Sequence, residues 1–94
     1  MYRPAIPPQV AERIRDLPPD LKRRVREAIR AICLDPGCGE PLKRDLQGYL
    51  KYKVRRFRIV YRVDRAARKI AVAAVAHRRV IYEEVAISIL TARS

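Results

Sequence analysis

Cations crowd a stretch of the chain whose hydrophobic pattern predicts β-strands. Lys51, Lys53 and Arg55 occupy alternate positions of the segment KYKVRRFR, residues 51–58. Successive side chains of a strand point to opposite faces, so we expect these three cations to share one face of a sheet. Like charges on one face repel each other, and we therefore favour a polyanion bound across them. The alternative is a solvated outer face that keeps the protein in solution.

Arg58 lies in a second apolar segment, between Phe57 and Ile59. An arginine in a strand suited to burial needs a partner, which is either a carboxylate or a bidentately bound phosphate. The carboxylates that could form an internal salt bridge with it are Asp45, Asp64, Glu83 and Glu84. The sequence alone leaves the salt bridge and the phosphate ligand equally open.

The segment HRRVIY, residues 77–82, lies where the last predicted strand meets the final helix. His77 is the one histidine of the chain and a candidate acid–base group, although a lone histidine more often forms local hydrogen bonds. Tyr82 can pack its ring in the core, the usual fate of a tyrosine at a helix start, or stack on an RNA base. Side chains at a strand end can converge on a ligand without disturbing the core.

Standard catalytic signatures are missing from the sequence: it has no paired-carboxylate motif, glycine-rich phosphate loop or nucleophile with its base. Cations and a tyrosine nevertheless suit one reaction. When the 2′-hydroxyl of RNA attacks the adjacent phosphate, the phosphorane gains negative charge, which preorganised arginine and lysine side chains stabilise. One of the lysines could also serve as the general base.

Composition limits the classes of partner. The chain has 94 residues, 49% hydrophobic and 34% charged, which indicates one folded domain over residues 1–94. A formal charge of +12 favours a nucleic acid, an acidic protein or an anionic membrane surface. We find neither a run of about 18 apolar residues nor a signal peptide, and so expect no membrane association and a cytoplasmic location.

Cysteine and histidine are too few for a zinc site, since the chain offers only Cys33, Cys38 and His77. We expect no metal and no other cofactor. Free thiols are favoured for a cytosolic protein, with a bridge between Cys33 and Cys38 left open.

The order of predicted elements is a strand, two helices, three strands and a helix, which defines an α+β domain. An edge strand is predicted at residues 2–6, and a first helix follows Pro7 and Pro8. A second helix has an apolar stripe formed by Leu21, Val25, Ala28, Ile29 and Ile32. Strands follow at about 49–55, 57–64 and 69–77, in antiparallel hairpins, the last of them covered on both faces. The final helix starts near Tyr82, with Val85, Ala86, Ile89 and Leu90 on one stripe.

The motifs LQGYLKYKV at residues 46–54, FRIVY at 57–61 and HRRVIY at 77–82, preceded by Leu42, resemble the RelE/ParE superfamily of bacterial toxins. The helix pair and the strand order match as well, so the resemblance covers nearly the whole chain. It implies a microbial-ribonuclease-like fold and membership of a toxin–antitoxin pair, neutralised by a small acidic antitoxin. RelE-type members enter the ribosomal A site and cut mRNA, leaving a 2′,3′-cyclic phosphate, without a metal or small-molecule cofactor.

Residue by residue, the resemblance implies a catalytic set made of Lys51, Lys53, Arg58, Arg78 and Tyr82. The two lysines match the paired strand lysines proposed as base and charge stabiliser, and which of them is the base stays open. Arg58 would hold the scissile phosphate, Arg78 would stabilise charge or assist the leaving group, and Tyr82 would orient the nucleotide. The residues predicted to contact RNA are Lys43, Arg44, Arg55, Arg56, His77 and Arg79.

Two other functions remain open at this point. ParE-type members share the fold but lack this ribonuclease set and poison DNA gyrase instead. A non-enzymatic basic RNA-binding module is the third hypothesis. The joint presence of the five catalytic candidates favours the ribonuclease branch.

Overall fold

The computed structural model describes residues 1–93, and side chains up to residue 91. Three helices lie at Pro8–Arg15 (α1), Pro19–Leu34 (α2) and Ile81–Arg93 (α3). Five strands lie at Arg3–Ala5 (β1), Glu40–Pro41 (β2), Tyr49–Val54 (β3), Phe57–Asp64 (β4) and Lys69–His77 (β5). Single 3₁₀ turns occupy Pro36–Cys38 and Arg44–Leu46. The predicted α+β fold is confirmed.

All five strands form one mixed sheet in the order β1-β5-β4-β3-β2. The three long strands pair antiparallel, as predicted, whereas β1 pairs parallel with β5. The two-residue strand β2 pairs with β3 and was not predicted. Its sequence, Glu40-Pro41, has no strand pattern of its own, so pairing with a neighbour creates it.

Helices cover both faces of β5, as its nearly unbroken apolar sequence predicts. α1 and α2 pack on one face, where the buried side chains include Ile14, Val25, Ile32, Ile59 and Ile70. α3 packs on the other face, where Ile81 and Val85 contact Val60, Ala74 and Ala76. The predicted stripe of α3 is partly wrong. Because Ile81, Val85 and Ile89 face the sheet at four-residue spacing, Ala86 and Leu90 turn toward solvent. Among the helices of residues 1–93, none is long and apolar enough to cross a bilayer.

The β3–β4 hairpin turns on only two residues, Arg55 and Arg56, because Val54 pairs with Phe57. The prediction that Arg55 shares a strand face with Lys51 and Lys53 is therefore wrong, since the chain has already left β3 at that point. Arg55 has a φ of +55°, in the left-handed region that disfavours residues with a Cβ atom.

Replacing Arg55 with glycine is expected to raise the free energy of unfolding by about 1 kcal/mol, because glycine adopts a positive φ without the Cβ clash. Urea unfolding followed by circular dichroism measures the change. Arg56→Gly is the matched control. Arg56 does not have a positive φ, so glycine there only raises the conformational entropy of the unfolded chain. Equal stabilisation by both substitutions would contradict the strain argument.

Candidate active site

The register of the hairpin sets two cations side by side. Lys53 on β3 is the direct partner of Arg58 on β4. Lys53 is exposed and Arg58 half-buried, and like charges directly opposite each other destabilise an antiparallel pair. An anion bound between the two side chains would relieve this repulsion. A purely structural role would give no reason to place two cations opposite each other.

Arg58 is held by the backbone of the turn. Its Nη1 donates to the carbonyls of Arg55 at 2.9 Å and Phe57 at 2.8 Å. Within residues 1–93 no carboxylate lies within ion-pair distance of Arg58, so the internal salt bridge is the wrong alternative. The guanidinium is therefore held in position by two carbonyls without an ion-pair partner, an arrangement that suits a phosphate ligand.

Arg78 is brought to the same end of the sheet by a backbone hydrogen bond. Its N–H donates to the carbonyl of Arg56 at 2.7 Å, which joins the end of β5 to the turn between β3 and β4. The side chain of Arg78 is exposed. Lys53, Arg55, Arg56, Arg58 and Arg78 therefore lie around one hairpin tip, which we call the tip cluster.

Lys51 differs from its predicted partner lysine. Its side chain is only 23% exposed, and its Nζ lies 3.7 Å from Oε2 of Glu40 on β2. It also pairs with Val60, which is buried beneath α3. Lys51 is thus partly neutralised and covered, whereas Lys53 is open to a substrate. The contact between Glu40 and Lys51 could not be predicted from the sequence, because no pattern in residues 40–41 predicts the strand β2.

Tyr82 lies in the first turn of α3 and its side chain is 47% exposed. The alternative that its ring packs in the core is therefore wrong. The ring is available to a ligand from this position, at the start of the helix that follows the tip cluster along the chain.

His77 is engaged locally. Its Nδ1 accepts a hydrogen bond from the N–H of Arg79 at 3.2 Å, and its ring meets Phe57 edge-on with centroids 5.8 Å apart. His77 pairs with Phe57 in the sheet, whereas Arg58 pairs with Ala76, so His77 and Arg58 face opposite sides. This arrangement agrees with the local hydrogen-bonding alternative. Arg79 is exposed just beyond the strand end.

Lys43 and Arg44 are not brought to the tip cluster. They precede β3, where the N–H of Leu42 donates to the carbonyl of Tyr49 at 2.9 Å. β3 spans six residues, so this end lies about 17 Å from the turn along the strand. The two residues would contact a different part of any RNA that also reaches the tip cluster.

Tyr61 holds the connection between α2 and β3 in place. Its hydroxyl donates to the carbonyl of Pro36 at 2.8 Å and accepts from the N–H of Gly39 at 3.0 Å. The side chain is fully buried, and burial raises the pKa of Tyr61 to about 12. Sequence analysis missed this role because a tyrosine in an apolar strand reads as ordinary core.

Removing this hydroxyl is expected to change the alkaline stability of the protein. A raised pKa means that the folded state favours the neutral phenol, so this stabilisation is present below pH 10 and is lost as the pH rises toward about 12. Tyr61→Phe should cost about 1–3 kcal/mol at neutral pH, because it leaves the partners of the hydroxyl unpaired. The difference from wild type should narrow between pH 10 and 12 in urea unfolding. Parallel losses in both proteins would contradict it.

The two cysteines carry free thiols, with Cys33 buried and Cys38 exposed. Among the described residues, no group of three or more histidine, cysteine, aspartate or glutamate side chains is placed to share a metal ion.

Comparison with solved structures identifies the class of protein. The chain is similar to the toxin in the RelBE2 toxin–antitoxin complex of Mycobacterium tuberculosis, with 26% identity and a TM-score of 0.73 over 82% of this chain and 98% of that one. A variant of the Escherichia coli toxin RelE in the free state aligns with 17% identity and a TM-score of 0.76, over 96% and 95%. The YoeB–YefM complex of Staphylococcus aureus aligns with 22% identity and a TM-score of 0.67, over 82% and 97%.

A family model described as the ParE toxin of the type II toxin–antitoxin system parDE matches residues 6–82, and the chain belongs to that family. Together with the 26%-identical Mycobacterium tuberculosis neighbour, this match defines a toxin of a type II toxin–antitoxin system. The predicted RelE/ParE superfamily is confirmed. No curated protein matches the chain. Several of the similar structures are complexes of a toxin with its antitoxin.

Proposed function

We propose that this toxin is a metal-independent mRNA endoribonuclease that acts in the cytoplasm at the ribosomal A site. The observation that carries the proposal is the tip cluster, in which Lys53 directly opposes Arg58 and neither has a carboxylate partner among residues 1–93. Keeping unneutralised cations together costs stability, and binding a phosphate group offsets that cost.

The reaction that fits is attack by the 2′-hydroxyl on the neighbouring phosphorus. The new O–P bond closes the 2′,3′-cyclic phosphate, and the bond to the 5′ oxygen breaks to release a 5′-hydroxyl end. Arg58, fixed by two carbonyls, binds the phosphate oxygens as their charge grows. Arg78 stabilises the leaving oxygen, and Tyr82 stacks on or orients the nucleotide.

A lysine is the candidate general base. Lys53 is exposed and has no ion pair among the described residues, whereas Lys51 lies beside Glu40. This difference favours Lys53 as the lysine that reaches the substrate, with Lys51 adding positive charge behind it.

Inhibition of DNA gyrase without nuclease activity is the second candidate, and the family match favours it because the family model describes a ParE toxin. Induced expression separates the two functions. Loss of cellular mRNA with intact DNA supports the nuclease, and a DNA-damage response with intact mRNA overturns it. Arg78→Ala and Tyr82→Ala should abolish toxicity while folding is retained, and full toxicity of both variants would remove this site from consideration.

The partner that neutralises the toxin is proposed to be a small acidic antitoxin. A chain with a formal charge of +12 associates rapidly with an acidic segment through electrostatic steering. Co-purification from cells that express the neighbouring reading frame tests the pairing. A neighbouring product that is basic, or that fails to suppress toxicity, would contradict it.

A further inference from the structure

The edge of β3 is open beyond the end of β2. β2 pairs only with Leu50 and Lys51, while the carbonyl of Tyr49 accepts from the N–H of Leu42. Alternate residues of an antiparallel strand direct their backbone groups to the same side, so the N–H and carbonyl of Lys53 also point to this edge. As far as residues 1–93 show, no hydrogen bond outside the strand ladder uses them.

A groove runs between this open edge and α2. Its hairpin side is formed by Tyr52, Lys53, Val54 and Arg55, and its helix side by Arg24, Glu27, Ala28 and Ala31. The two alanines keep the groove open because their side chains are short. Lys53 lines the groove at the strand edge, while its side chain lies beside Arg58 on the opposite face of the sheet. The groove and the tip cluster therefore meet around the edge of β3.

The charges that line the groove are unequal. Two cationic side chains, those of Arg24 and Arg55, line the groove with one carboxylate, that of Glu27. Nε of Arg24 also lies 3.2 Å from Oδ2 of Asp20, and Arg23 pairs with the same carboxylate. The half-buried ring of Tyr52 adds an aromatic wall. A cationic groove with an aromatic side chain is the arrangement with which proteins bind single-stranded nucleic acid.

We propose that this groove binds the nucleotide next to the cleaved phosphate, on an RNA strand that crosses the edge of β3 at Lys53. The inference rests on the proposed nuclease function and adds a second subsite to it. The phosphate accepts from Arg24, Arg55 and the free N–H of Lys53, and the base lies against Tyr52. The edge of β3 separates the groove from the tip cluster, so an RNA strand held by Arg58 can pass around this edge into the groove. This path favours RNA over an acidic peptide.

Glu27 and Arg24 make the proposal testable, because removing their opposite charges should change RNA affinity in opposite directions. Its carboxylate repels a phosphate in the groove, so Glu27→Gln should tighten RNA binding about two- to fivefold, the range expected for an exposed charge pair. Arg24→Gln should weaken binding by a similar factor and reduce the slope of log affinity against log salt by about 0.7. Matched controls are Glu12→Gln and Arg15→Gln, which make the same charge changes at exposed positions of α1.

The experiment measures binding of the full chain to a single-stranded RNA oligonucleotide at low and moderate salt, with a 2′-deoxy nucleotide at the cleaved position to prevent reaction. Cleavage of ribosome-bound mRNA is measured in parallel. The proposal expects the Glu27 and Arg24 variants to shift binding in opposite directions, well beyond their controls.

Each failure has a distinct result. Shifts equal to those of the α1 controls would overturn the groove while leaving the nuclease in place. Intact ribosome-bound mRNA with the expected oligonucleotide shifts would overturn the nuclease and retain the groove as a nucleic-acid site. Changed affinity for an acidic antitoxin peptide, with unchanged oligonucleotide binding, would overturn the groove as an RNA subsite and assign it to the antitoxin.

Discussion

Arg58→Ala is expected to lower the rate of mRNA cleavage by about 10²–10³-fold, the usual loss when one preorganised charge-stabilising donor is removed from an active site. Arg58 is fixed by the carbonyls of Arg55 and Phe57 before any substrate arrives, so it reorganises little as charge develops on the phosphorane. Single-turnover cleavage of mRNA on programmed ribosomes measures the effect. Arg58→Lys should recover only part of the rate, because an ammonium group cannot bind the phosphate bidentately as a guanidinium does.

Arg65→Ala is the matched control for this loss. It removes the same charge from an exposed position in the turn after β4. β4 spans eight residues, which places Arg65 about 25 Å from the tip cluster along the strand. Near-equal activity of the two alanine variants would show that net charge, and not a positioned guanidinium, drives the reaction. Circular dichroism on both variants checks that folding is retained.

Gly39→Ala is expected to lower the free energy of unfolding by about 2–5 kcal/mol, combining overpacking with the loss of the two partly buried hydrogen bonds of the Tyr61 hydroxyl. A Cβ atom on Gly39 would overlap the hydroxyl oxygen of Tyr61 and lie 2.9 Å from the carbonyl oxygen of Lys51. Neither atom can yield easily, because Tyr61 is fully buried and the carbonyl belongs to the backbone of β3. Urea unfolding measures the loss.

The chain supplies a control for this substitution two residues earlier. A Cβ atom on Gly37 would lie 3.9 Å from its nearest neighbour, Oδ1 of Asp35, which is an ordinary van der Waals contact. Gly37→Ala should therefore change stability by less than about 0.5 kcal/mol. A similar loss from both substitutions would contradict the steric account and point to a general demand for glycine in this connection.

Periodic patterns in the sequence predicted the elements that are long enough to display a period. The stripe of α2 and the three long strands appear with bounds within one residue of those expected. The tip cluster was predictable only in part, because motif spacing suggested Arg58 and Arg78 but could not show that the N–H of Arg78 bonds to Arg56.

The features that escaped prediction depend on contacts between distant residues. β2 exists because β3 pairs with it, and Glu40 meets Lys51 only for that reason. Arg55 lies in the turn because Val54 and Phe57 form the last pair of the hairpin. The sequence did not indicate this because the turn contains no glycine. The sequence shows Tyr61 only as a residue of an apolar strand, and it does not reveal that the hydroxyl donates to the carbonyl of Pro36.

The hydrogen bond between Arg78 and Arg56 has a consequence for the timing of synthesis. It joins the hairpin to the last strand, so the tip cluster cannot assemble until the chain has been made past residue 78 and β5 has entered the sheet. A nascent or truncated chain that ends earlier carries the basic hairpin without Arg78 or Tyr82. On the proposed function, a chain still being synthesised cannot cleave mRNA until residues 78–82 have left the ribosome and joined the fold.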